Sequence, residues 1–237
     1  MTKQKKIISL MLLPLILTSC GKKITSQEAI DLADKFSANA VANCPKEFSA
    51  KAKITYTLLY KEGEFFSESH FALAIIVPLA WGSQTWKADD GKYYRKVTEI
   101  NSKKSSFNEI TKDQFDYYME AHKATVLKTI TDVCQSASTM AKYEENKDLI
   151  PYQNATVEAN YKSANEEHLV ENVIVTYKDN DEKQHILTNN FTFKKGLPVQ
   201  HKTTEKIDDT KTETVYKYTY SKVKFSAPST EGATPLA

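Results

Sequence analysis

Along the 237 residues the spacing of apolar positions changes period repeatedly, and each change predicts a change of element. Ala29, Ile30, Ala33, Phe36, Ala40 and Val41 recur at helical spacing. Ahead of them, Thr25-Ser26-Gln27-Glu28 reads as a capping box, with Thr25 as cap and Glu28 reaching back. Pro45 supplies a stop. The pattern predicts a helix from Ser26 to Asn43. From Ser49 the period becomes two. Ile54, Tyr56, Leu58 and Tyr60 alternate, Glu62-Gly63-Glu64 turns, and Phe65 to Val77 alternate again before merging into "FALAIIVPLAW". Asp89-Asp90-Gly91 is a hairpin signal, and Tyr93 to Ile100 follows as a strand. This predicts an antiparallel meander of three or more long strands.

A second capping box, Thr111-Lys112-Asp113-Gln114, is flanked by Ile110 and Phe115, positioned for a hydrophobic staple. Phe115, Tyr118, Met119, His122, Val126, Ile130, Val133, Ala137 and Met140 then form one stripe, predicting a helix of about thirty residues. Strands return in the last third: Ala155–Tyr161, Leu169–Tyr177, Gln184–Phe193, Val199–Ile207 and Thr212–Phe225. Asp179-Asn180-Asp181, Lys195-Gly196 and Asp208-Asp209 are their turns. The order helix, meander, long helix, meander implies an α+β fold, with one large curved antiparallel sheet packed on the two helices. Residues 227–237 are rich in Pro, Ser, Thr and Gly and are expected to be a disordered tail.

"FALAIIVPLAW" differs from its neighbours in being apolar at every position. It reads either as a central buried strand or as the wall of a ligand pocket formed by Phe71, Leu73, Ile75, Val77 and Trp81. Tyr216, Tyr218 and Tyr220 share one strand face. Tyrosines so placed usually pack with their hydroxyls near water.

The N-terminus has its own pattern. Lys3, Lys5 and Lys6 precede an apolar run from Ile7 to Leu17. That run is too short to span a bilayer, which takes about twenty residues, and it has the form of a signal peptide. It ends Leu17-Thr18-Ser19-Cys20, which resembles the bacterial lipoprotein box. The resemblance implies cleavage before Cys20 and a diacylglycerol thioether on its sulfur, the alternative being an ordinary secretory signal with a chance cysteine. Two acyl chains suffice for stable anchoring. The expected product is a lipoprotein on the cell membrane, facing outside the cytoplasm, with residues 20–24 as a very short tether and 25–226 as one domain.

Charge and cysteines narrow the functions. Without residues 1–19 the chain carries 29 basic against 30 acidic side chains, and Arg95 is its single arginine. This is not a basic field for nucleic acid. Cys44 and Cys134 remain after Cys20 is used. Outside the cytoplasm such a pair permits a disulfide; two buried reduced thiols are the other reading. The five histidines show no metal-ligand spacing, and no metal or cofactor is expected. If the chain turns tightly at Lys195-Gly196, His185 pairs near Lys206 and does not face His201. No GxSxG or P-loop is present. The carboxylate pairs Glu144-Glu145, Glu166-Glu167 and Asp208-Asp209 read as solvated turn acids, so no catalytic residue is assigned.

The C-terminal stretch "GLPVQHKTTEKIDDTKTETVYKYTYSKVKFSAP", Gly196 to Pro228, has a Gly-x-Pro start, an acid-rich turn and a Tyr-rich strand ending in an aromatic and Pro. With the element order, it resembles the outer-membrane lipoprotein carrier and its lipid-carrying relatives. The resemblance implies a half-barrel holding helices in its concave face, with acyl chains bound between. The functional expectation is a non-catalytic, membrane-anchored lipoprotein that binds or carries a lipid or other apolar ligand. Its rival is an envelope protein–protein interaction module with a filled core.

Overall fold

A computed structural model describes residues 21–235, apart from 54, 75–76 and 101–104. The signal sequence, Cys20 and Ile75 therefore lie outside the described residues, as do the side chains of Leu73 and Val77. The elements run β1 (Lys22–Ile24), α1 (Ser26–Ala42), β2 (Glu47–Ala52), β3 (Tyr56–Lys61), β4 (Phe65–Ala74), β5 (Val77–Lys87), β6 (Tyr93–Thr98), β7 (Ser105–Ile110) and α2 (Lys112–Glu145). Then follow β8 (Thr156–Ser163), β9 (His168–Lys178), β10 (Gln184–Lys194), β11 (Leu197–Ile207), β12 (Thr210–Thr219) and β13 (Thr234–Pro235).

Both helices start where their capping boxes predict. Thr25 Oγ1 accepts from the Glu28 amide at 3.2 Å, and Glu28 accepts from the Thr25 amide at 2.8 Å. Thr111 and Gln114 repeat the arrangement at 3.2 and 2.9 Å. Each cap satisfies donors that the first turn leaves orphaned and contributes about 1 kcal/mol. α2 continues unbroken for 34 residues.

The strands form one sheet in the order β1-β8-β9-β10-β11-β12-β2-β3-β4-β5-β6-β7-β13, antiparallel except where β13 lies parallel to β7. The fold is the expected α+β, half-barrel-like one. Two meanders, β2–β7 and β8–β12, are joined through β12 and β2, where Tyr218 pairs with Ala50. The turn between β10 and β11 uses Lys195 (φ 54°) and Gly196 (φ 70°), the two left-handed residues that match strand twist. A Cβ on Gly196 would lie 3.4 Å from the Phe36 ring, so this turn sits directly against α1.

Both helices lie on the inner face. Phe36 of α1 packs on Phe193 at 5.4 Å, and Phe48, Leu58, Phe191 and Ile130 are sealed with them. Near its start, α2 covers β4–β6: His122 lies flat on Phe66 at 3.7 Å, and its Nε2 meets Thr85 Oγ1 at 3.0 Å. Burial, then the Arg95 charge, lowers the His122 pKa to about 4.

Two expectations are corrected and one open alternative is resolved. "FALAIIVPLAW" is not a single strand. β4 and β5 pair as far as Ala74 with Val77, so the stretch is the end of a hairpin. Among the described residues, the β3–β4 ladder runs to Tyr56 with His70 and the β5–β6 ladder starts at Gly82 with Thr98. Within the segment expected to be a disordered tail, Thr234–Pro235 form β13 on the β7 edge, and just ahead of it Phe225 stacks on Phe65 at 4.9 Å across the outer face. Finally, Cys44 and Cys134 are free thiols. Burial pushes the Cys134 thiol up to about 12, which leaves it inert.

Candidate ligand cleft on the inner face

Strand register places one residue from each of several strands in a single transverse row. Tyr161 pairs with Glu171, Glu171 with Phe191, Phe191 with His201, and His201 with Tyr216. Beyond Ala52 the row continues through Tyr56, His70 and Trp81. Ring contacts run along it. Phe191 to His201 is 4.3 Å, His201 to Tyr216 6.2 Å, Tyr216 to Tyr56 6.4 Å, Tyr56 to His70 4.9 Å and His70 to Trp81 5.0 Å. The last pair is stacked within 4° of parallel.

The helices cover this row unevenly. Tyr161, Glu171 and Phe191 are buried, whereas Tyr216, Tyr56, His70 and Trp81 are half-buried. Where the cover thins, a cavity of about 310 Å³ opens between α2 and the sheet. Its floor is Tyr56, His201, Tyr216 and Tyr218; its wall is Thr129, Asp132, Val133 and Ser136 of α2. This is at the small end of ligand-pocket sizes.

The polar groups of the cleft are mostly occupied. Glu68 accepts from the Tyr56 hydroxyl at 3.4 Å and meets His70 Nε2 at 3.1 Å. Burial, reinforced by the Glu68 charge, raises the Tyr56 pKa well above the ordinary phenol value. Burial lowers His201 to about 4, so it is neutral, and its Nε2 lies 3.4 Å from Asn189 Oδ1. Thr129 and Ser136 spend their hydroxyls on carbonyls one turn back, at 2.9 and 2.7 Å. What remains is a surface of ring faces with a few fixed dipoles. Those ring faces offer contact area to an apolar or amphipathic molecule. Among the described residues, no group of three His, Cys, Asp or Glu side chains converges as for a metal ion.

The pocket expected from "FALAIIVPLAW" is placed differently. Phe71 shares the strand face of Phe65, which looks toward the C-terminal segment; Trp81 shares the face of Thr85, which looks toward α2. Phe71 and Trp81 thus fall on opposite faces, and only Trp81 joins the row. Tyr216, Tyr218 and Tyr220 do share the inner face, but Tyr218 is sealed and Tyr220 donates to the Pro198 carbonyl at 2.7 Å. His185 pairs with Ile207 and His201 with Phe191, so the two histidines are apart, as the turn length predicts. The contributions of Tyr56, His70 and His201 were not foreseeable singly, because only the register across six strands brings them together.

No protein-family profile, curated protein sequence or solved structure matches the chain. No helix among the described residues is long and apolar enough to cross a membrane.

Proposed function

We propose that this is a non-catalytic lipoprotein, anchored to the outer surface of the cell membrane by a diacylglycerol on Cys20, that binds an apolar or amphipathic ligand in the inner-face cleft. The half-covered aromatic row Tyr216–Tyr56–His70–Trp81 beside a cavity of about 310 Å³ carries the reading. A molecule with an acyl chain or flat ring would lie along those faces and leave its polar end at the Asp132–Ser136 wall. Gly21 leads straight into β1, so the folded body would sit close to the bilayer from which such a ligand comes.

Native mass spectrometry with lipid extraction on the full-length protein tests this. The expected result is a bound lipid or fatty acid in the wild type that is lost in Ser136→Trp, which fills the cleft from half-exposed α2 without entering the core. An apo mass that does not shift when fatty acids or phospholipids are added would sink the reading. Cys20→Ser is expected to release the protein from membranes. A second reading is favoured by the complete filling beneath α1, where Phe36, Phe48, Phe191 and Phe193 leave no room for a ligand. On that reading the chain is an interaction module, and Ser136→Trp leaves its partner binding intact.

A further inference from the structure

A second cavity lies at the other end of the strands, away from the cleft. It measures about 950 Å³ and is bounded by the loop around Tyr152–Asn154 and the β9–β10 turn. We infer that this cavity binds a neutral oligosaccharide, with Tyr152 as its stacking platform and the surrounding amides as its hydroxyl readers.

An aromatic platform stands at the cavity edge. Tyr152 lies parallel to Tyr177, at 3.7 Å and 4°, and Tyr177 lies on His185 at 4.7 Å and 17°. His185 is itself fixed from both nitrogens, by Asp179 at 3.0 Å and Glu205 at 3.3 Å. Tyr152 is therefore the outermost plate of a braced stack. One ring face is covered, while the residue as a whole remains 36% exposed. A flat rigid ring with an open face is what the C–H face of a pyranose packs against.

The lining is rich in amides. Gln153, Asn154, Asn180 and Gln184 present side-chain amides around the cavity, and all four are exposed. Amides both donate and accept, which matches hydroxyl groups that do the same. Charges at the site are satisfied internally. Lys178 pairs with Glu182 at 3.0 Å, and Asp179 pairs with His185. Lys178 is the cation among the lining residues, and the four amides around it favour a neutral polyhydroxyl ligand.

β8 pairs with β1, so Ser163 marks the end near Gly21, while Thr156 at the cavity lies seven positions away, about 23 Å along the strand. On the anchored reading above, the cavity points away from the bilayer. The inference itself rests on the cavity and not on that reading, because the inner cleft shares no residue with it.

Isothermal titration of the full-length protein in detergent with chitotetraose and with cellotetraose tests the inference. Saturable binding of one of them is expected. Tyr152→Ala should weaken it at least about tenfold, equivalent to about 1.4 kcal/mol, and Ser136→Trp should leave it unchanged. Gln184→Ala, at an exposed strand start, provides a second variant should Tyr152→Ala lower the melting temperature; it too should weaken binding. Failure of both sugars to saturate at millimolar concentration overturns the inference. So does binding that neither variant weakens.

Discussion

Glu171 of β9 lies directly opposite Tyr161 of β8 beneath the helices, fully buried, and neither carboxylate oxygen nor the Tyr161 hydroxyl has a hydrogen-bond partner among the described residues. Burial without a cation holds the Glu171 pKa well above the ordinary carboxyl value, so the side chain is a neutral acid. A raised carboxyl pKa means that the folded state binds the proton more tightly. The neutral acid costs nothing extra below the unfolded pKa. As pH rises above about 4.3 the unfolded chain gains by ionising and the native state does not. Native stability therefore falls with rising pH by up to about 1.4 kcal/mol per unit from this group. Glu171→Gln should remove that slope. Urea midpoints at several pH values for both proteins test it; parallel curves would refute the assignment.

Gly82 faces Ser69 across the β4–β5 ladder, and a Cβ there would lie 2.0 Å from the Glu68 carbonyl oxygen. The contact is with backbone, so no side chain can swing away to relieve it. Gly82→Ala must push the strands apart at the point where the β5–β6 ladder starts. A loss of about 1–3 kcal/mol is expected, as for other overpacked sites. Because His70 and Trp81 form the adjacent pair, ligand binding in the inner cleft should weaken together with the melting temperature.

The parts of this fold written locally were legible, and those that depend on distant register were not. Thr25 with Glu28, and Thr111 with Gln114, announce both helices because each cap is closed within four residues. Lys195-Gly196 announces its hairpin for the same reason. The turn within "FALAIIVPLAW" has no Gly, Asn or Asp to mark it, so an apolar hairpin reads as one strand. Phe225 finds Phe65 across 160 positions of sequence, a contact that no local composition signals. The row from Phe191 to Trp81 depends on the turns of both meanders and on the long-range pairing of β12 with β2. Trp81 stands out for its apolar surroundings and Tyr56 for its place in a period-two alternation, while His70 carries no pattern of its own.

The C-terminal segment acts as a strap on the outer face. Phe225 lies over Phe65 and within 6.2 Å of Trp86, and Thr234 is fixed by Asn108 at 3.1 Å. Trp86 is fully buried beneath it. Phe225→Ala should cost about 1–2 kcal/mol, less than a fully buried Phe truncation because Phe225 is half-exposed. In a Trp81→Phe background the emission of Trp86 alone should shift to longer wavelength. Unchanged emission and stability would mean that the strap does not shield this cluster in solution.

His185 links the strap-free end of the sheet to pH. The Asp179 carboxylate, accepting from Nε2, is the largest influence and raises the His185 pKa above its usual value; burial opposes it, and Glu205 adds to it. Conversely, His185 is the main reason that the Asp179 pKa is lowered. A raised histidine pKa contributes stability that is fully present below the unfolded value near 6.5 and is lost as pH rises through the folded one. Melting temperature should therefore drop across that window in the wild type. In Asp179→Asn the drop should shrink, and the His185 Cε1–H titration followed by NMR should move back toward the ordinary midpoint. The Tyr177 ring on which His185 stacks, and through it Tyr152, should report the same midpoint in their own proton shifts. If His185 titrates at or below the ordinary value in the wild type, the Asp179 pairing that braces the stack does not hold in solution.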